Sequence, residues 1–136
     1  VTTLGISQSY IQEEREVQLG MLRRRRKRYT SLYPPVDPAG RIVIVVDDGI
    51  ATGSTMIAAL RSVRVKHPKK VVAALAVAPP ESLRQMEQEA DEVVCLETPG
   101  TFCAVGDFFL DFSQVSDDDV AGVLEKYSKP RRTRVI

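Results

Sequence analysis

The feature that most constrains this chain is the run Ile42–Val46, five β-branched residues followed at once by Asp47, Asp48 and Gly49. A continuous run of that kind suits a strand buried on both faces, as in a parallel sheet. A second run, Val71–Val77, and a third, Glu92–Leu96, follow at regular distance. Between them, Ser54–Lys66 places Met56, Ala59, Leu60 and Val63 on one helical face, and Pro80-Glu81 opens a helix with Leu83, Met86 and Ala90 inward. Strand, helix, strand, helix, strand with short connections implies right-handed crossovers. The fold expected is α/β: an open, mostly parallel sheet with flanking helices. Three regions are expected: 1–40, an N-terminal helix and connector; 41–98, an α/β core; and 99–136, an aromatic segment, a last helix and a basic tail.

The flanks are less regular. Ser9 to Gln12 reads as a capping box for a helix reaching about Arg28, with Glu13 and Glu14 in its first turn. Residues 23–28 are all basic, either a solvated helix end or a contact for phosphate or nucleic acid. Tyr33–Gly40, with three prolines, is a connector. Ser116 precedes three aspartates and caps a last helix with Val120, Val123, Leu124 and Tyr127 inward. Lys129–Ile136 is a basic tail expected to be mobile.

Bulk properties narrow the function. The 136 residues suffice for one domain with a modest core. Net charge is +1, which gives no overall field favouring nucleic acid. Cys95 and Cys103 are too few for a disulfide framework and lack metal-ligand spacing, as expected of reduced thiols in a cytoplasmic protein. No apolar run approaches the ~20 residues of a membrane helix, and no signal peptide is visible. Cys95 reads as core and His67, before Pro68, as surface.

The chemistry concentrates at Val43–Thr55. A strand delivers Asp47 and Asp48 at its carboxyl end, the edge where open α/β sheets bind ligands. Gly49 and Gly53 permit sharp turns, and Thr52, Ser54 and Thr55 supply hydroxyls at a helix N-terminus. Backbone N–H groups and hydroxyls there make a phosphate site. Two carboxylates beside it suit ribose hydroxyls, or a magnesium ion carried by a diphosphate. No Gly-Lys-Ser/Thr P-loop and no Gly-x-Gly-x-x-Gly turn occurs. A receiver domain also opens on paired aspartates. It would need a further aspartate where Val71–Val77 ends, and Ala78-Pro79 stands there instead.

The thirteen residues from Val43 to Thr55 resemble the signature of type I phosphoribosyltransferases. Leu4–Ser7, Arg23–Arg28, Ala78–Glu81, Glu92–Pro99 and Val105–Ser116 look like a bacterial phosphoribosyltransferase family, some of whose members are fused to a dienelactone-hydrolase-like domain. The resemblance implies a glycosyltransferase using 5-phosphoribosyl 1-diphosphate, with Mg2+ carried by the substrate and no direct protein ligand. Asp47 and Asp48 would be the catalytic pair on the ribose diol. Gly49, Ile50, Ala51, Thr52, Gly53, Ser54 and Thr55 would wrap the 5-phosphate. The segment 102–112 would be a hood over the acceptor, with Phe102 stacking on a base, or simply closing the core, and Asp107 or Asp111 hydrogen-bonding to it. A homodimer is the family expectation.

Two departures qualify this. Ala51 stands where 6-oxopurine members carry an acid, and Val77–Pro80 lacks their lysine, so hypoxanthine and guanine are disfavoured. No Arg-Gly-Gly diphosphate loop precedes Leu4, and the chain opens on Val1 rather than methionine. The chain is therefore expected to be the later part of such a domain, binding ribose phosphate weakly and turning over poorly alone. The other reading is a non-catalytic module sensing phosphoribosyl diphosphate or a nucleotide, with the basic helix touching nucleic acid.

Overall fold

The computed structural model describes residues 6–128. In chain order these form α1 (Gln8–Leu32), β1 (Ile42–Gly49), α2 (Ser54–Arg64), β2 (Lys70–Val77), α3 (Pro80–Met86), β3 (Glu92–Glu97), a 3-10 turn at Val105–Phe108, and α4 (Asp117–Ser128). They fall into two compact units, one of residues 37–113 and one containing α1 and α4.

The first unit is the expected α/β core. Its three strands lie in the order β1-β2-β3, parallel throughout. The two expected crossover helices are present: α2 packs on β1 and β2, and Met86 of α3 joins the same core. Met56, Leu60, Val71, Ala73, Leu75 and Met86 make its dry centre. Each large side chain there contributes about 1.5–3 kcal/mol by leaving water.

Burial on both faces holds for β2 and not for β1. Ile42, Ile44 and Val46 are 60%, 60% and 73% exposed, while Val45 on the opposite face packs against the core. The reason is coverage: the core packs on the face of Val45, whereas the face of Ile42, Ile44 and Val46 is open, and Val94 and Leu96 of β3 are exposed on it too. Composition registers the tendency of a strand to be covered, but not which of its faces a given stretch of chain covers. β1 also runs three residues past Val46, so both aspartates belong to the strand itself.

In the second unit, Ser7 rather than Ser9 caps α1: the Tyr10 N–H donates to Ser7 Oγ at 3.2 Å. Glu13 and Glu14 therefore lie beyond the first turn. The helix passes Arg28 and stops at Leu32, next to the proline pair that cannot continue it. α4 starts as expected, with Asp119 N–H donating to Ser116 Oγ (3.2 Å) and Ser116 N–H to Asp119 Oδ2 (3.0 Å). Its inner face differs. Ala121 is buried, but Val123 and Tyr127 are exposed. The two helices meet through charge: Arg25 pairs with Asp117 at 3.0 Å, Arg28 pairs with Asp118, and Tyr29 Oη donates to Asp117 at 2.7 Å. Leu4, Gly5 and the basic tail from Lys129 lie outside the described residues.

Candidate functional site

The loop between β1 and α2 surrounds a cavity of about 150 Å³ lined by Asp47 and by Gly49–Met56. Its floor is fixed by one apolar anchor. Ile50 is 4% exposed, sits in the core cluster, and donates its N–H to Val77 O at 3.1 Å. Ile50 can thus face a ligand only through its backbone. Gly53 takes φ +75° and serves as the N-cap of α2 with no side chain capping the helix. The helix ladder begins with Ile57 N–H to Gly53 O. The N–H groups of Ser54, Thr55 and Met56 therefore have no partner within the helix and open on the cavity. Thr52 Oγ1 and Ser54 Oγ lie 3.3 Å apart beside them. This is an anion cradle built from backbone dipoles and hydroxyls.

The two aspartates are not equivalent. Successive strand residues project to opposite faces. Asp47 follows the covered face and lines the cavity, whereas Asp48 is exposed on the other face and is not among the lining residues. Burial pushes the Asp47 carboxyl above the usual aspartate range, an effect that the Asp48 N–H, donating to Asp47 Oδ1 at 3.0 Å, partly opposes. Asp48 Oδ1 accepts from the Gly49 N–H at 2.7 Å.

Sequence reading missed two supports. Ser82, 2% exposed in α3, donates its hydroxyl to Ala51 O at 2.5 Å and so ties the far side of the core to the loop. Its only signal was a polar residue one turn into a helix that must face the sheet. Gly49 is the second. A Cβ there would lie 2.8 Å from Val105 Cγ1, Val77 Cγ1 and Val77 O. The segment after β3 comes down directly on the loop, and only glycine leaves room.

That segment is a 3-10 turn flanked by extended chain. The expected acceptor residues are each engaged by a neighbour in the same segment. Phe102 stacks on Phe108 (centroids 5.7 Å apart, 14° between planes). Asp107 accepts from the Ala104 N–H, and Asp111 from the Ser113 N–H and hydroxyl, which hold the Asp111 carboxyl below the usual range. A second cavity, of about 500 Å³, opens where β2 and β3 end, lined by Ala76, Val77, Leu96, Glu97, Phe108 and Phe109. Phe102, Asp107 and Asp111 are not among its walls.

Among the described residues no group of three or more His, Cys, Asp or Glu side chains could hold a metal ion.

A family model for the phosphoribosyl transferase domain matches residues 7–113. The chain belongs to the phosphoribosyl transferase domain family. The likeness holds at the level of individual relatives. "Putative phosphoribosyl transferase Rv0571c" of Mycobacterium tuberculosis is 42% identical over 109 residues, 80% of this chain and 25% of that protein. Uracil phosphoribosyltransferase of Aquifex aeolicus is 41% identical over 54 residues, 40% of this chain and 26% of that enzyme. The crystal structure of TT1426 from Thermus thermophilus superposes with a TM-score of 0.79 at 42% identity, covering 90% of this chain and 59% of that one. The chain thus spans a quarter of the curated relatives' length. The β1–α2 loop lies within the residues that the family model matches, at the carboxyl edge of the parallel sheet. No helix among the described residues is long and apolar enough to cross a membrane.

Proposed function

We propose that the chain binds 5-phosphoribosyl 1-diphosphate as its magnesium complex and serves the transfer of phosphoribose to a nitrogen acceptor. The observation that carries this is the uncapped N-terminus of α2 facing a cavity whose opposite wall is a partly buried carboxylate. The 5-phosphate lies on the Ser54, Thr55 and Met56 N–H groups and the Thr52 and Ser54 hydroxyls. The ribose hydroxyls donate to Asp47, while Asp48 on the opposite face of the strand does not reach them. In the reaction the acceptor nitrogen's lone pair forms the bond to the anomeric carbon. The bond from that carbon to the diphosphate oxygen breaks, and its electron pair leaves with diphosphate. The acceptor's proton is lost to a base or to water. The protein's share is positioning and stabilisation of charge that develops on the sugar. Magnesium carried by the donor would supply charge neutralisation for the leaving diphosphate.

Calorimetric titration of the full chain with phosphoribosyl diphosphate and MgCl2 tests the donor half. Binding is expected, weakened about 10–100-fold by Asp47→Asn, the worth of hydrogen bonds to a charged group. Asp48→Asn is expected to weaken it less. Equal affinity in wild type and Asp47→Asn would refute this placement of the ribose.

A sensing module without chemistry shares the donor site, and turnover separates the two. The nucleic-acid variant of that reading has less support, because Arg25 and Arg28 are already paired with Asp117 and Asp118.

A further inference from the structure

We infer that the cavity at the ends of β2 and β3 receives the acceptor, and that Glu97 selects it: a neutral, planar nitrogen heterocycle presenting an N–H donor, not an anionic one. The inference rests on the donor reading above and extends it to the other substrate.

Register supplies the geometry. Gly49 pairs with Val77, and Val77 pairs with Glu97, so the three stand side by side across the sheet. At one strand spacing per step, Glu97 lies ~10 Å from the first residue of the donor loop. A sugar held at Asp47 and Gly49–Thr55 would direct its anomeric carbon across that interval. The cavity of about 500 Å³ falls within the ~300–1,000 Å³ common for small-molecule sites. Ala76, Val77, Leu96, Phe108 and Phe109 give it apolar and aromatic walls suited to a flat ring. Phe108 is held on one side by Phe102, which leaves Phe102 as a buttress rather than the stacking surface.

Glu97 is the one ionisable residue of the lining. Its backbone is fixed: Glu97 O accepts from the Ala78 N–H at 3.2 Å and from Cys95 Sγ at 3.1 Å. Among the described residues its carboxylate has neither a hydrogen bond nor an ion pair. An ionised carboxylate accepts hydrogen bonds and offers none. Beside an apolar wall it favours a ligand N–H and repels a second carboxylate. Pyrimidines and purines with imide or amine N–H groups fit this chemistry. Ring carboxylates such as orotate and nicotinate do not.

The test uses the full chain with saturating phosphoribosyl diphosphate and MgCl2, and equilibrium dialysis of radiolabelled uracil, cytosine, adenine, orotate and nicotinate. At least one neutral base is expected to bind, with orotate and nicotinate binding at least tenfold more weakly. Glu97→Gln should weaken the neutral base about tenfold or more and narrow the gap to the anions. Donor affinity by calorimetry should not change in that variant. Retention of no neutral base, equal retention of the anions, or indifference to Glu97→Gln overturns the inference while the donor reading stands. Absence of donor binding in the wild type overturns the donor reading, and this one with it.

Discussion

The donor loop and the segment after β3 lie against each other, yet they are built on different plans. The loop at Asp47–Met56 is contiguous, and half of the groups proposed to bind there are backbone N–H groups whose direction follows from one strand end and one helix start. The second cavity gathers side chains from two strand ends and a 3-10 turn, none of which implies the others in sequence. A site made of backbone is thus written in local sequence, whereas a site made of side chains from several elements is written in their packing.

Gly49 is where this contrast is most vulnerable, because both regions depend on it. Gly49→Ala puts a methyl group 2.8 Å from Val105 Cγ1 on one side and from Val77 O on the other. Overpacking of this kind costs about 1–3 kcal/mol. The larger consequence is displacement of the Val105–Phe108 turn, so donor and acceptor binding should fall together. Urea denaturation gives the first number, and calorimetry with dialysis gives the second. If donor binding survives while the base is lost, the two regions are less tightly joined than the contact implies.

Ser82→Ala probes the same contrast from the other side. It touches the donor loop alone, removing the hydroxyl that donates to Ala51 O and leaving that carbonyl without its buried partner. A loss of about 1 kcal/mol in stability is expected, with a several-fold loss of donor affinity as the loop relaxes. Base binding measured at saturating donor should hardly move. An equal loss at both cavities would show that α3 supports the whole edge of the sheet rather than the loop.

What the sequence disclosed follows the same division. The three strands were legible from their continuous apolar runs, their crossover helices from the periodicity of their apolar faces, and Val43–Thr55 because its residues are consecutive. The open face of β1 was not, since Ile42, Ile44 and Val46 look the same whether or not a layer covers them. Phe102, Asp107 and Asp111 stood out as chemical types, but their neighbours Phe108, Ala104 and Ser113 engage them locally. Glu97 did not stand out, since it ends a strand in which only the register with Val77 and Gly49 gives it meaning. Ser9 to Gln12 has the residue types of a capping box, but the Tyr10 N–H donates to Ser7 Oγ, so the helix starts two residues earlier.

The smallest expected effect separates the donor carboxylate from the ordinary charged surface by its sign. Burial raises the Asp47 pKa in the folded chain, so the folded form keeps a proton at pH values where the unfolded chain has lost it. Its contribution to stability is fully present below the ordinary aspartate value of about 4 and is lost as pH rises through the raised one. Glu89, hydrogen-bonded to Arg61, and Asp91, hydrogen-bonded to Arg64, have lowered pKa values. Their contribution is present at neutral pH and is lost as pH falls through the lowered values. Both ion pairs are solvent-accessible and stabilise little. Without donor, Asp47→Asn should therefore melt slightly above wild type at pH 7, and the gap should close as pH falls below about 4. Arg61→Gln should melt slightly below wild type at pH 7 and converge with it in acid. Thermal melts from about pH 3 to about pH 8, a span that brackets these carboxyl groups, read both trends. An Asp47→Asn variant less stable than wild type at pH 7 would mean that the carboxylate is held by the fold rather than kept, at a cost to it, for a ligand.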